Sequence, residues 1–204
     1  MKFYSLEEGE RLVKAARHSI ELSIISPSFK REAIESRLSH FDQNHGIFVT
    51  IEHYPTKELR GCIGFPRPTA SLRTLLVEAA VAAANEDPRF VSISHLEFEH
   101  IVVEVSILSD PEPIVAKGEA EIKRKIKVGR DGLMINSGHY SGLLLPIVPV
   151  EQKWGVSQFL ENICLKAGLP PDGWKNPNAR LYKFSTQVFR EKTPSGEIEE
   201  VEFE

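Results

Sequence analysis

Apolar positions recur at two spacings along the chain, and the switches between them mark out its elements. Leu12, Val13, Ala16, Ile20 and Ile24 follow helical spacing, leaving Glu10, Arg11, Lys14, Arg17 and Glu21 on the face expected to meet water. Ser5 and Glu8 have the spacing of a capping box that starts this helix, and Pro27 is expected to stop it. Ser28–Asn44 is polar, with Ile34, Leu38 and Phe41 at helical intervals, and fits a short helix or a packed loop. The period then shortens to two. Gly46–Tyr54 reads as a strand with Ile47, Val49, Ile51 and His53 on one face and Phe48, Thr50, Glu52 and Tyr54 on the other. Pro55–Lys57 suits a turn, so Leu59–Phe65 is expected to return as an antiparallel partner.

Ser71 is the expected cap of a second long helix whose stripe of Leu72, Leu75, Leu76, Ala79, Ala80 and Ala83 ends before Asp87 and Pro88. His100–Leu108 alternates as a strand. Beyond a Pro-bearing connection at 110–118, Ile122, Ile126 and Val128 oppose Lys123, Lys125 and Lys127, which predicts a strand, with Gly129–Gly132 turning the chain into Leu133–Ile135 as a hairpin. Tyr140–Leu145 adds a strand that Pro146 and Pro149 end or confine to an edge. A helix over Ser157–Ala167 closes at Gly168 and Pro170, and Leu181–Phe189 is a single closing strand. Residues 191–204, rich in glutamate, are expected to form a frayed acidic tail.

The 204 residues are 41% apolar and 26% charged, the make-up of an ordinary globular chain of one or two domains. Twenty-five Lys and Arg against 29 Asp and Glu give a net charge of -4, which supplies no overall field for a polyanion, so a nucleic-acid partner is not expected. The alternating lysines at 123–127 read as a solvated sheet face. Two cysteines cannot build a disulfide framework or a zinc quartet, and the seven histidines contain no HExxH, so no metal and no cofactor are expected. The acidic start and the absence of a long apolar run predict a cytoplasmic protein that spans no membrane.

Chemistry concentrates at Leu59-Arg60-Gly61-Cys62-Ile63-Gly64. Two glycines inside a strand cost backbone entropy and mark a bulge or a close approach; Gly61 and Gly64 are therefore candidate ligand contacts. Extended geometry puts Arg60 and Cys62 on one face, where a fixed cation lowers a thiol pKa and makes Cys62 a candidate nucleophile. The competing reading is a small buried hydrophobe with Arg60 reaching a carboxylate. Arg67 and Ser71 beside the next helix start could hold an anion, and Asp87 and Arg89 could fold back as a proton-transfer carboxylate and a second cation. His139 and Ser141 share a strand face but lack the context of a nucleophile elbow.

LRGCIGFPRP, DPRF, VEVSIL, KIKVGRDGL, YSGLLLP, VPVE and KAGLPP, in this order, resemble the AMMECR domain family from about Leu6 to Phe189. The resemblance implies an α+β fold, a mixed, mainly antiparallel sheet with helices in two tightly joined sublobes, here residues 1–190, with no established activity. It points to the hexapeptide as the site, joined by Asp87 and Arg89. It also suggests Memo-like or radical-SAM proteins as partners, because family members occur beside them or fused to them. Two functions stay open: a binding surface for a small molecule or protein, and an enzyme whose Cys62 attacks a small anionic substrate. No histidine is placed beside Cys62 as a general base, which tilts the balance toward binding.

Overall fold

The computed structural model describes residues 2–26 and 28–203, so the expected stop at Pro27 lies outside the described residues. Two compact units emerge: one runs through Leu108 and takes up the chain again at Gln187–Val201, and the other is built on Ser109–Thr186.

The first unit begins with α1 (Leu6–Ile25), whose Ser5 and Glu8 form the reciprocal capping box. Leu12, Val13, Ala16 and Ile20 are buried as the spacing predicts, but Arg17 is buried too. Its guanidinium pairs with Glu191 and donates to the carbonyls of Phe98 and Ile101, so an expected surface charge instead ties α1 to the sheet. Residues 28–44 fold as a four-residue helix, α2 (Glu32–Glu35), running into a 3-10 turn, and bury Ile34, Leu38 and Phe41. Strands β1 (Gly46–His53) and β2 (Leu59–Phe65) form the antiparallel hairpin, α3 (Leu72–Asn85) follows, and the short α4 (His95–Phe98) leads into β3 (Ile101–Leu108).

The second unit holds β4 (Glu112–Pro113), α5 (Glu119–Arg124), β5 (Gly132–Ser137), β6 (Tyr140–Leu144), α6 (Ile147–Glu151), α7 (Val156–Lys166) and β7 (Arg180–Phe184). The strand expected across Lys123–Lys127 is therefore a helix with its following turn. Ile122 and Ile126 are four apart, a spacing that suits a helix as well as a pleat, and the Glu121–Lys125 ion pair at the same spacing supports the helical choice. The 129–132 segment accordingly leads from this turn into β5 and closes no hairpin with a strand before it.

The closing strand is also two. Ser185 breaks it, and β8 (Thr186–Glu191) joins the first unit's sheet beside β9 (Ile198–Val201). The expected frayed tail thus supplies an ordered edge strand, because Ile198 sinks into the core while Glu199 and Glu200 find partners in Arg190 and Gln187.

The sheets run β2-β1-β3-β8-β9 and β4-β7-β5-β6. The pairings β1·β2, β1·β3, β8·β9, β4·β7, β5·β6 and β5·β7 are antiparallel. The first core packs α1 and α3 against Ile47, Val49, Ile51, Val103 and Val105, and the second packs α7 against Leu133 and Ile135. No helix among the described residues is long and apolar enough to cross a membrane.

Candidate functional site

Strand β2 lies at the edge of the five-stranded sheet, and its two faces meet different surroundings. A Cβ at Gly61 would sit 2.2 Å from the carbonyl oxygen of Ala83, so α3 approaches the strand backbone where a side chain would stand. A Cβ at Gly64 would strike the Phe48 ring at 2.3 Å and the Ile47 carbonyl at 2.4 Å. The close approach inferred for both glycines is therefore made by the protein itself on the side where a Cβ would stand.

Arg60 is re-aimed as well. The β1·β2 register pairs Ile51 with Gly61 but Glu52 with Leu59, so the ladder skips Arg60 at a bulge. Its side chain is only 6% exposed and turns to Glu97, which accepts from Nε at 2.9 Å, and to the Val91 carbonyl at 2.8 Å. These bonds hold the Glu97 carboxyl down at about 2, and the Ser94 amide reinforces them. Arg60 is thus committed to a carboxylate rather than to the thiol. One nitrogen, Nη1, is buried without a hydrogen-bond partner.

Cys62 is half-buried on the face opposite α3, and Thr50 Oγ1 donates to its Sγ at 3.4 Å. Burial pushes the thiol pKa up. The Thr50 bond and the Arg89 charge pull it down, and Glu104 and Asp87 add to the rise. The lowered pKa expected of a nucleophile is reversed here.

The peptide of Cys62 is clasped from the open side of the strand. Its N–H donates to Asp87 Oδ2 at 2.8 Å, and its carbonyl accepts from Arg89 Nη2 at 3.4 Å. Arg89 grips Asp87 in turn through Nε at 2.9 Å and Nη2 at 2.7 Å. Those bonds hold the Asp87 carboxyl far below the ordinary carboxylate range, so it stays ionised and is a poor proton donor near neutrality. Asp87 and Arg89 do fold back to Cys62, as the DPRF stretch suggested, but as a clamp on backbone.

Sequence reasoning missed a polar row that crosses the whole sheet. Thr50 faces Cys62 on one side and Glu104 on the other; Arg190 reaches Glu104 at 4.0 Å and pairs across with Glu199. Taking register from the 55–57 turn would have joined Thr50 to Cys62, but Glu104 and Arg190 come from strands too distant in sequence to align by eye.

The helix start at Ser71 is already occupied. Ser71 Oγ contacts Thr74 Oγ1 and caps no amide, while the amides of Leu72 and Arg73 donate to the carbonyls of Gln43 and Phe41. Thr74 donates to Glu35, and Arg73 pairs with Asp42. Four donors that an anion would need are therefore taken by the protein's own oxygens, which leaves Ser71 with little to offer an anion. Arg67 lies outside β2 in the bend that follows it and is exposed. No group of three His, Cys, Asp or Glu among the described residues is placed to hold a metal ion.

The fold and this edge-strand site define an α+β protein with two antiparallel sheets and a clamped LRGCIG strand. Residues 13–189 match the AMMECR1 family, and the chain belongs to it. A protein of Methanocaldococcus jannaschii is 48% identical over 198 residues, covering 97% of either chain. One from Methanopyrus kandleri is 44% identical over 197 residues, with 96% of this chain and 94% of the relative covered. The crystal structure of an uncharacterized Pyrococcus horikoshii protein superposes with a TM-score of 0.89 at 42% identity, over 97% of this chain and 98% of that one.

Proposed function

We propose that the sheet face around Cys62, bordered by Asp87, Arg89 and Phe90, is a binding surface for a small ligand or a partner protein. The observation that carries this reading is the polar row itself. Thr50, Cys62, Glu104 and Arg190 are half-buried along the sheet face turned away from α3, beside the Asp87–Arg89 clamp, so a thiol, a hydroxyl and charges of both signs are grouped on one surface that a ligand or partner can meet.

The alternative, in which Cys62 attacks a small anionic substrate, is weaker. The thiol is pushed toward its protonated form, Arg60 is engaged elsewhere, and the groups acting on the thiol are Thr50, Arg89, Glu104 and Asp87, with no histidine among them. A Memo-like or radical-SAM partner is one occupant this surface could take, and two free cysteines suit a reducing, cytoplasmic setting.

Fragment screening by amide chemical shifts tests the reading. Hits are expected to converge on the amides of residues 60–65 and of Asp87, Arg89 and Phe90 and to slow alkylation of Cys62. Hits that gather elsewhere, or none at this face, overturn it.

A further inference from the structure

The ligand class can be narrowed by following the nitrogens that the protein leaves unbonded. This step rests on the binding reading above. Arg60 spends Nε and Nη2 on Glu97 and Val91, and its Nη1 is buried with no partner. Arg89 spends Nε and Nη2 on Asp87 and the Cys62 carbonyl; its Nη1 makes no bond among the described residues, and the side chain is 52% exposed. Both guanidiniums lie over the same ring, with Arg60 5.6 Å and Arg89 5.5 Å from the Phe90 centroid.

A buried guanidinium nitrogen has donors only, so an unmet Nη1 calls for an oxygen acceptor. That buried Nη1 of Arg60 and the exposed Nη1 of Arg89 belong to guanidiniums that border one half-buried aromatic ring, and with the peptide of Cys62 fixed alongside they form an acceptor-seeking corner at the edge of β2. The two carboxylates nearby do not fill it. Glu97 and Asp87 are ionised and already accept from the other nitrogens of the same arginines. Each ion pair is locally neutral, so attraction for a ligand comes from short charge-assisted hydrogen bonds rather than from a long-range positive field.

We infer that the corner formed by Arg60, Arg89 and Phe90 takes the oxyanion of a small ligand, a carboxylate or phosphate group, through the two free Nη1 groups. Arg89 supplies the accessible donor that meets the ligand first. Arg60 supplies the deep one, the enclosed nitrogen next to the Nη2 that the Val91 carbonyl holds. Because the field is balanced, the affinity for a bare ion is expected to be weak and only mildly dependent on salt.

The probe is inorganic phosphate, titrated against chloride at matched ionic strength while the arginine Nε and backbone amide signals are followed. Saturable shifts are expected at Arg60, Arg89 and the amides of Cys62 and Phe90 with phosphate and not with chloride. Arg89→Gln should weaken phosphate binding by about tenfold, the worth of one charge-assisted bond. Arg11→Gln, whose guanidinium is engaged with the Arg37 carbonyl and the Phe41 ring instead, should leave it unchanged. Arg60→Lys adds a test of the deep donor, and if that variant does not fold, Arg89→Gln still decides. Phosphate that shifts none of these signals, or that binds wild type and Arg89→Gln alike, overturns the inference. Should fragments dock at Cys62 while phosphate leaves the corner untouched, the oxyanion assignment falls and the binding surface stands; if neither binds, both fall.

Discussion

Replacing Gly61 by alanine sets a methyl carbon 2.2 Å from the Ala83 carbonyl oxygen and 3.2 Å from its carbonyl carbon. Ordinary carbon contacts begin near 3.5 Å, so α3 and β2 must part by about 1 Å. The obstacle is helix backbone, which cannot rotate aside as a side chain would. Overpacking of a core costs about 1–3 kcal/mol, and a rigid neighbour puts Gly61→Ala in the upper half, about 2–3 kcal/mol. For a chain of this size each kcal/mol is worth about 2–4 °C, so Tm should fall by about 4–12 °C. Urea unfolding followed by circular dichroism gives the same quantity as a lower midpoint at unchanged slope. Gly118→Ser is the control: its Cβ meets nothing within 4 Å, and serine is a good N-cap for α5, so stability should hold within about 0.5 kcal/mol or rise. A Gly61→Ala protein as stable as wild type would show that the helix is not what keeps this position bare.

Glu97→Gln strips Arg60 of its carboxylate and should cost about 1–3 kcal/mol, less than a fully buried pair because the Glu97 side chain is 32% exposed. Since the Glu97 pKa is depressed from 4.5 to about 2, its contribution is complete above pH 4.5 and is lost as the pH falls toward 2. Acid titration of unfolding should therefore be flatter in Glu97→Gln, and identical acid limbs would refute the pairing. Arg89→Gln removes a charge that lowers the Cys62 pKa, so the midpoint of Cys62 alkylation, already above that of a free thiol, should move higher still; a downward move contradicts the electrostatics described. Gln187→Leu deletes the amide that accepts from Phe3 and Tyr4 N–H and donates to the Tyr4 carbonyl and Glu200. Hydrogen exchange at Phe3 and Tyr4 should accelerate by tenfold or more, following about 1–3 kcal/mol of lost local bonding.

What could be read along the chain was the local part. The capping box of α1, the β1·β2 hairpin and the alanine-rich stripe of α3 each carry their signal within one or two turns of sequence. The α5 region failed because Ile122 and Ile126 satisfy both periods. The Leu181–Phe189 run failed because neither Gly nor Pro marks the break: Ser185 is held by its N–H to Ser109 Oγ and by its carbonyl to the Ser109 N–H, bonds made across 76 residues. At the site, residue types pointed to LRGCIG and DPRF and to their meeting. They could not reveal that Glu97 captures Arg60 from 37 residues away, nor that Ala83 and Phe48 fill the spaces above the glycines. Desolvation of Cys62 follows from that same long-range packing, which is why the direction of its pKa shift was invisible in the hexapeptide.

The grip of Asp87 and Arg89 on the Cys62 peptide bears on how the molecule behaves in a crowd. An outermost strand offers its free amides and carbonyls to any passing chain, and stacking of this kind seeds insoluble fibres. At Cys62 a carboxylate and a guanidinium from the protein's own loop imitate that visitor, one accepting and the other donating, so the midpoint of the strand has nothing left to offer a stranger. Loosening the clasp would thus endanger solubility before it disturbed the hydrophobic interior.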